Sequence, residues 1–493
     1  MKTTAFCILL LLAMTIASCE APEKPGLSFS ENALLIRDLN VIDVRDGSIL
    51  ENRSILIDSM NILWVGKYSD LKAPAEALNQ VDARGKYAIP GLWDLHVHFE
   101  GEDLVEDNLA LFPVYIAHGI TTVRDMASDL GEQVLQWREE IEQGKMLGPQ
   151  IFTAGRKLEG VNSIWKGDLE IANEKELELM LDKLEGYRVD LVKITENTLS
   201  GPLFLKSVRE ANKRGFMVSG HVPLDLRISE LIDAGFSSVE HASYLLRLGA
   251  DEADIVEGLR SGELSKEEAL AHYASHFDQD KAIEAYRELG KTEIAITPTL
   301  IGGRQLAFLD AEDHQDDAFL DYLTQRFTSK YQWRINRMAG ETPDQKKARK
   351  EKYNLIASQL PHLQEAGIMI LAGSDAAALN TYVYPALSLH EELALFQDAG
   401  LSPLTILQTA TINGARFMGN SSTLGTVEAG KQADLVILNS NPLDDIRSTQ
   451  DIFAVVNNGN FLDRTKLDGL LEQAREKKKA LDQQRKTAEP ADE

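Results

Sequence analysis

From residue 92 to residue 374 the chain alternates short apolar runs with longer stretches of mixed polarity, and the alternation repeats eight times. The apolar runs are Leu92–Phe99, Thr121–Asp125, Gln150–Ala154, Asp190–Ile194, Met217–Val222, Ser237–His241, Ile294–Leu300 and Ile368–Ser374. Segments between and beyond them, such as Lys175–Leu184, Phe204–Arg214 and Leu387–Asp398, carry a helical period. Short apolar strands separated by helices read as a parallel sheet, and eight such units over roughly 300 residues predict an α/β fold of the (β/α)8 TIM-barrel type. In that fold the C-terminal ends of all eight strands open on one face, so polar residues at strand ends are brought together from across the chain.

The flanks have a different texture. Residues 29–89 and 421–465 are rich in alternating apolar residues and turn signals. They predict one small β-sandwich domain built from both chain ends, around a barrel spanning 90–420. Residues 301–365 form a charged, helix-rich insertion before the last barrel strand, and long inserts after barrel strands tend to cover the catalytic face. The tail 466–493 is highly charged and predicts an exposed helix.

The chain carries 51 Lys+Arg against 77 Asp+Glu, a net charge of −26. That balance argues against nucleic acid, because phosphate binding needs clustered cations. It also argues against broad adsorption to anionic lipid. The only two cysteines are Cys7 and Cys19. A disulfide scaffold, a cysteine-ligated zinc site and a cysteine nucleophile in the body of the protein are thereby excluded. A metal site must use His, Asp, Glu or something unusual.

Lys2 followed by the apolar run Ala5–Ala17 reads as an export signal, too short for a membrane span. The sequence Ile16-Ala17-Ser18-Cys19 resembles a bacterial lipobox. Residues 1–18 are then a signal peptide, and 19–28 a tether lipidated at Cys19. Glu20 in place of Asp implies, by the same resemblance, the outer membrane of a Gram-negative cell envelope. Contact with the membrane is expected through this anchor alone; the oligomeric state is not legible.

His96 and His98 are two apart on a strand and therefore face the same side. His221 and His241 each end an apolar run. Four imidazoles at strand ends of one barrel suit one metal site. Lys193 lies inside the apolar run Asp190-Leu-Val-Lys-Ile, where a cation is costly to bury unless it is neutralised or paired. Asp375 follows the last strand, where it could equally cap a helix. The other six histidines have no such case: His118 suits a helix C-terminus, His272, His276, His314 and His362 read as solvated, and His390 as surface. Arg156, Tyr244, Thr297 and Thr299 lie near strand ends and are candidates for contacting a small-molecule substrate.

The set Pro90-Gly-Leu-Trp-Asp-Leu-His-Val-His98, Gly119-Ile-Thr-Thr-Val-Arg-Asp125, Lys193, His221, His241 and Gly373-Ser-Asp375 resembles the metal-dependent amidohydrolase superfamily. It is most similar to the imidazolonepropionase-like and Xaa-Pro dipeptidase-like branch, and Ala410–Gly419 and Gly425–Leu438 match its closing segment. The resemblance implies two Zn2+ or other divalent ions per chain. His96, His98 and Asp375 would bind one, His221 and His241 the other, with a carboxylated Lys193 bridging them. It implies hydrolysis of an amide or cyclic amide by a metal-activated bridging hydroxide, with Asp375 shuttling the proton. The alternatives are a dipeptidase, an ester, lactone or organophosphate hydrolase on the same site, or a non-catalytic ligand-binding envelope lipoprotein. Where the dipeptidase branch has His-Ala-Tyr this chain has His221-Val-Pro223, which departs from the dipeptidase pattern.

Overall fold

A computed structural model describes residues 28–72 and 78–488. The export segment, Cys19 and all but the last residue of the tether lie outside the described residues. No helix among the described residues is long and apolar enough to cross a membrane.

All eight expected strands form, as Leu92–Val97, Ile120–Asp125, Gln150–Thr153, Leu191–Ile194, Met217–Gly220, Phe236–Glu240, Ala295–Thr297 and Met369–Ile370. They pair in parallel, the first three in one sheet and the other five in a second. Two short strands not foreseen from the sequence, Leu158–Gly160 and Leu169–Ile171, extend the second sheet at one edge. Backbone bonds also run between the two sheets. Asp190 N donates to Thr153 O at 2.9 Å, and Leu95 N to Ala372 O at 2.8 Å.

The strands are buried on both faces, as parallel strands covered by helices are; all six residues of Leu92–Val97 are buried. The covering helices follow from their sequence. Glu174–Tyr187 starts at Asn173, whose side chain accepts from Glu176 N, and it buries Leu177, Leu181 and Leu184 on one stripe. Phe99, one residue past His98, packs edge to face on Phe112 at 5.2 Å, and Phe112 on Trp137 at 5.3 Å. These rings anchor the strand that carries the histidine pair.

Both chain ends meet in one eight-stranded sheet. Strand Tyr87–Pro90 pairs on one side with Leu34–Ile42 and on the other with Leu435–Leu438. Ile36 and Ile55 from the first end and Ile437 and Val456 from the second are fully buried in one core.

Helices Leu300–Phe308, Gln332–Met338 and Pro343–Ala357 lie between strands Ala295–Thr297 and Met369–Ile370. The tail departs from expectation. Helix Arg464–Ala488 is not a free exposed helix: it packs on helix Val105–Ala117 and buries Leu467, Ala474 and Leu481. Arg485 pairs with the buried Asp107, which also takes the hydroxyl of Thr324 at the start of the insertion helix Gln325–Ser329. Its charged sequence hides an apolar stripe wide enough to dock.

Candidate metal centre

His96, His98, His221, His241, Lys193 and Asp375 come from five strand ends and converge. His96 and His98 leave strand Leu92–Val97 on the same side, and their Nε2 atoms lie 3.4 Å and 3.2 Å from Asp375 Oδ1. The three form a group that could hold a metal ion, with one ligand atom from each within 4.8 Å of the others. The His241 ring centroid is 5.1 Å from that of His96 and 5.1 Å from that of His221, so the four imidazoles form a continuous row. Lys193, His98, His221, His241 and Asp375 line a hollow of about 110 Å3.

Close backbone approach makes this convergence possible. A Cβ on Gly373 would lie 2.8 Å from His96 N, and one on Gly220 would lie 2.0 Å from Ile194 O, so both positions require glycine. Three site residues adopt the left-handed region without being glycine: His241 at φ 73°, Thr299 at φ 49° and Asp375 at φ 60°. Such backbone is held by its surroundings and clusters at functional sites.

Each imidazole has its Nδ1 occupied by a different partner. His96 Nδ1 lies 2.8 Å from Glu240 Oε2, His98 Nδ1 2.6 Å from Ala127 O, and His221 Nδ1 2.8 Å from Glu196 Oε2. His241 Nδ1 lies 2.7 Å from Thr299 Oγ1, whose own hydroxyl donates to Pro298 O, so the imidazole is the donor. These partners assign the proton to Nδ1 in all four rings and leave four Nε2 lone pairs. That is the tautomer a metal ligand needs, fixed by its outer partner.

Electrostatics agree. Burial lowers His96 to about 4, so it is neutral. Burial holds His241 well below the ordinary histidine value, against the opposing pull of Asp375. His98 is the exception: burial pulls it down, but its bond to Asp375 and the charges of Asp375 and Glu100 together raise it. Asp375 is buried too, yet His96, His98 and His241 hold it well below the usual carboxylate range. Burial brings Lys193 down to about 8. Its Nζ is enclosed with no hydrogen-bond partner, and so is His96 Nε2. Two buried polar atoms left unmatched at two of these converging strand ends are what a cation and an added carboxylate would satisfy.

Several supporting residues were not foreseen from the sequence. Glu240, fully buried, takes His96 together with Arg124 Nη2 at 3.0 Å and Ser238 Oγ at 2.6 Å. Arg124 and His96 hold its carboxylate well below the usual range despite burial. Glu196 binds both His221 and the Tyr244 hydroxyl. Asp94, which burial raises to about 7, takes Ser374 N and Oγ and thereby fixes the turn that presents Asp375. The available signal was a charged residue inside an apolar strand next to a ligand, as in Val239-Glu240-His241.

The substrate candidates divide. Thr299 lines a recess of about 260 Å3 beside His241 and Asp375. Thr297 sits behind the site and accepts from Arg124 Nη2 at 3.0 Å. Tyr244 reaches the site through Glu196. Arg156 turns away, bonding Glu132 at 2.9 Å and Gly167 O at 2.9 Å. The neighbouring Lys157 lines the hollow instead. The six other histidines lie outside the row. His118 caps its helix, bonding Val114 O. His390 is buried, not at the surface, between Thr449 Oγ1 and His118 O. His314 is also packed, stacked on Tyr382 at 4.0 Å and paired with Asp317.

Residues 87–469 match the Amidohydrolase family. Curated relatives include an ochratoxinase of Aspergillus niger, 25% identical over 89% of this chain and 90% of that protein. They also include a 5-methylthioadenosine/S-adenosylhomocysteine deaminase of Moorella thermoacetica, 22% identical over 87% of this chain and 94% of that protein. Among solved structures, a bottromycin amidohydrolase superposes with a TM-score of 0.70 at 20% identity, covering 90% of each chain. A Xaa-Pro dipeptidase with bound methionine superposes with a TM-score of 0.63 at 19% identity, covering 88% of this chain and 100% of the other.

Proposed function

This chain belongs to the amidohydrolase family and is a hydrolase acting on carbon–nitrogen bonds, and we propose that it cleaves an amide or cyclic amide at a two-metal centre. His96, His98 and Asp375 would hold one divalent ion, His221 and His241 would hold a second, and a carboxylated Lys193 would supply oxygen ligands between them. The single observation that carries this reading is Lys193 Nζ, an enclosed amine with no partner beside four Nε2 lone pairs. The Lys193 ammonium must first lose one proton; carboxylation of the neutral amine by CO2 then forms an N–C bond and releases a second, so that an anionic ligand would replace a buried cation. The depressed pKa keeps a share of the amine neutral and able to react.

Bound divalent ions such as Zn2+ supply Lewis acidity and lower the pKa of water from about 15.7 towards about 7. The chain's own residues do the rest. Glu240, Ala127 O, Glu196 and Thr299 hold the imidazoles in one tautomer. Asp375, ionised at rest, accepts the proton of the attacking water on its carboxylate and delivers it to the leaving nitrogen.

The finer fold reading belongs to the same proposal. The bonds from Leu95 to Ala372 and from Asp190 to Thr153 support eight strands closed into a (β/α)8 barrel. The edge strand Asn61–Gly66 returns to residues 430–433, with Ile62 N donating to Lys431 O at 2.8 Å, which supports a sandwich shared by the chain ends. We place the enzyme in the cell envelope, anchored by lipid at Cys19, from the first twenty residues alone.

Metal analysis of the purified protein tests the reading. One to two divalent ions per chain and loss of activity in His96→Ala are expected. Less than one ion per chain, with His96→Ala still active, overturns it.

A further inference from the structure

A threonine just before a helix ordinarily caps it, its side-chain oxygen accepting from an amide of the first turn. Thr299 directly precedes helix Leu300–Phe308 and makes no such bond. Its backbone is left-handed, at φ 49° and ψ 49°, a region where a β-branched residue is strained. Its hydroxyl is engaged elsewhere, accepting from His241 Nδ1 at 2.7 Å and donating to Pro298 O at 2.8 Å. The helix is capped from outside instead. Glu392, fully buried on helix Leu387–Asp398, accepts from Leu300 N at 2.8 Å on Oε1 and from Ile301 N at 2.7 Å on Oε2.

Both carboxylate oxygens of Glu392 are thus committed to the two amides that follow Thr299, and they fix the direction in which the chain leaves it. Backbone bonds fix the approach: His241 N donates to Thr297 O at 2.8 Å and Ala242 N to Pro298 O at 3.2 Å. Held from both sides, the Thr299 turn keeps its strained backbone and stands its Oγ1 where the His241 ring needs an acceptor. Leu300 and Ile301 are both buried, so without Glu392 their amides would lose their partners out of reach of water. The ordinary capping role would then draw the Thr299 hydroxyl back to the helix. His241 would lose the bond that keeps its proton on Nδ1.

We propose that Glu392 is a positioning residue of the metal centre: by capping helix Leu300–Phe308 from outside, it releases the Thr299 hydroxyl to hold His241 in the tautomer that presents Nε2 to an ion. Glu392 touches neither the ion nor the substrate. It acts through the Thr299 turn and then through the imidazole, from 151 positions further along the chain than the ligand it serves. Its effect on the ion rests on the two-metal reading of this site; its effect on the ring does not.

The test compares full-length wild type with Glu392→Ala, Glu392→Gln, Thr299→Val and the double variant Glu392→Ala/Thr299→Val. In metal-free protein labelled with 15N-histidine, the His241 ring, assigned by its loss in His241→Gln, is expected to carry its proton on Nδ1 alone. Both tautomers are expected in Glu392→Ala and in Thr299→Val. Glu392→Gln keeps one acceptor oxygen and should fall between wild type and Glu392→Ala. Chelator competition for Zn2+ is expected to show one binding step weakened about 10- to 100-fold in Glu392→Ala and in Thr299→Val. The double variant should lose no more than either single one, because both act on one relay. A single-tautomer His241 ring in folded Glu392→Ala protein, or Zn2+ losses that add in the double variant, overturn the inference and leave Glu392 a helix cap only. Should Glu392→Ala not fold, Glu392→Gln is read in its place, and an unchanged ring there overturns the inference. Less than one Zn2+ per wild-type chain, with a ring tautomer that still follows Glu392, supports the inference and overturns the two-metal reading.

Discussion

His96 Nδ1 lies 2.8 Å from Glu240 Oε2, and both side chains are sealed from solvent. The bond ties a ligand to a carboxylate that also neutralises the buried Arg124. Glu240→Gln is expected to weaken divalent-metal affinity about 10- to 100-fold, because the imidazole loses its orienting acceptor. Uncompensated Arg124 would also lower stability by about 3–5 kcal/mol. Chelator competition and thermal melts measure the two effects. A variant that melts lower but binds metal as before would leave Glu240 a structural partner of Arg124 only.

Lys193 gives a spectroscopic prediction. Protein prepared in 13C-bicarbonate with metal should show a carbamate carbon signal, absent in Lys193→Ala. Lys193→Ala should retain at most one ion per chain and lose activity by at least about 100-fold. A labelled signal that persists in the variant would place the carboxylation elsewhere.

His390 makes stability depend on pH. Burial and the nearby His118 lower it to about 3, whereas the unfolded chain has about 6.5. The folded state holds this ring neutral and the unfolded state charges it. Its stabilising share is therefore complete above pH 6.5 and lost as pH falls from 6.5 towards 3, with a slope of about 1.4 kcal/mol per pH unit. His390→Gln should flatten that slope by one proton's worth in denaturant titrations. An unchanged slope would mean that the ring takes up its proton without unfolding.

The terminal helix should matter for substrate affinity. Arg485 joins Asp107 to Thr324 of the insertion, whose helix Gln332–Met338 brings Arg334 to the hollow beside Lys193. Arg485→Ala is expected to lower stability by about 1–3 kcal/mol by leaving Asp107 short of its cation. It should also raise KM with little change in kcat. A fall in kcat at constant KM would separate this contact from the mouth.

The ligands were legible because a strand end is a local event. An apolar run followed by His says where the side chain stands, and the two-residue spacing of His96 and His98 says that they share a face. Their partners were not legible. Glu240 stands out as a charge inside an apolar strand, but nothing local pairs it with His96, 144 residues away, or Glu196 with His221. Arg334 was hidden for another reason: the insertion reads as a polar helical stretch, and only its folding over the mouth turns one of its cations inward. His390 was misjudged because the residues that enclose it, Thr449 in the segment Ile446–Gln450 and His118 at the end of helix Val105–Ala117, are remote in sequence.

Strand Tyr87–Pro90 cannot be completed by its own end of the chain, since Lys86 Nζ reaches Asn439 Oδ1 across 353 residues. A ribosome adding about 5–20 residues per second delivers that partner only after tens of seconds. Until then one edge of the first strands is open to any other extended segment. A nascent or prematurely terminated chain is thus both sticky and incomplete, a substrate for chaperones and proteases, while the finished chain closes its own edge. Residues 435–438 thus act as a late-arriving clasp on a sheet that the first strands begin.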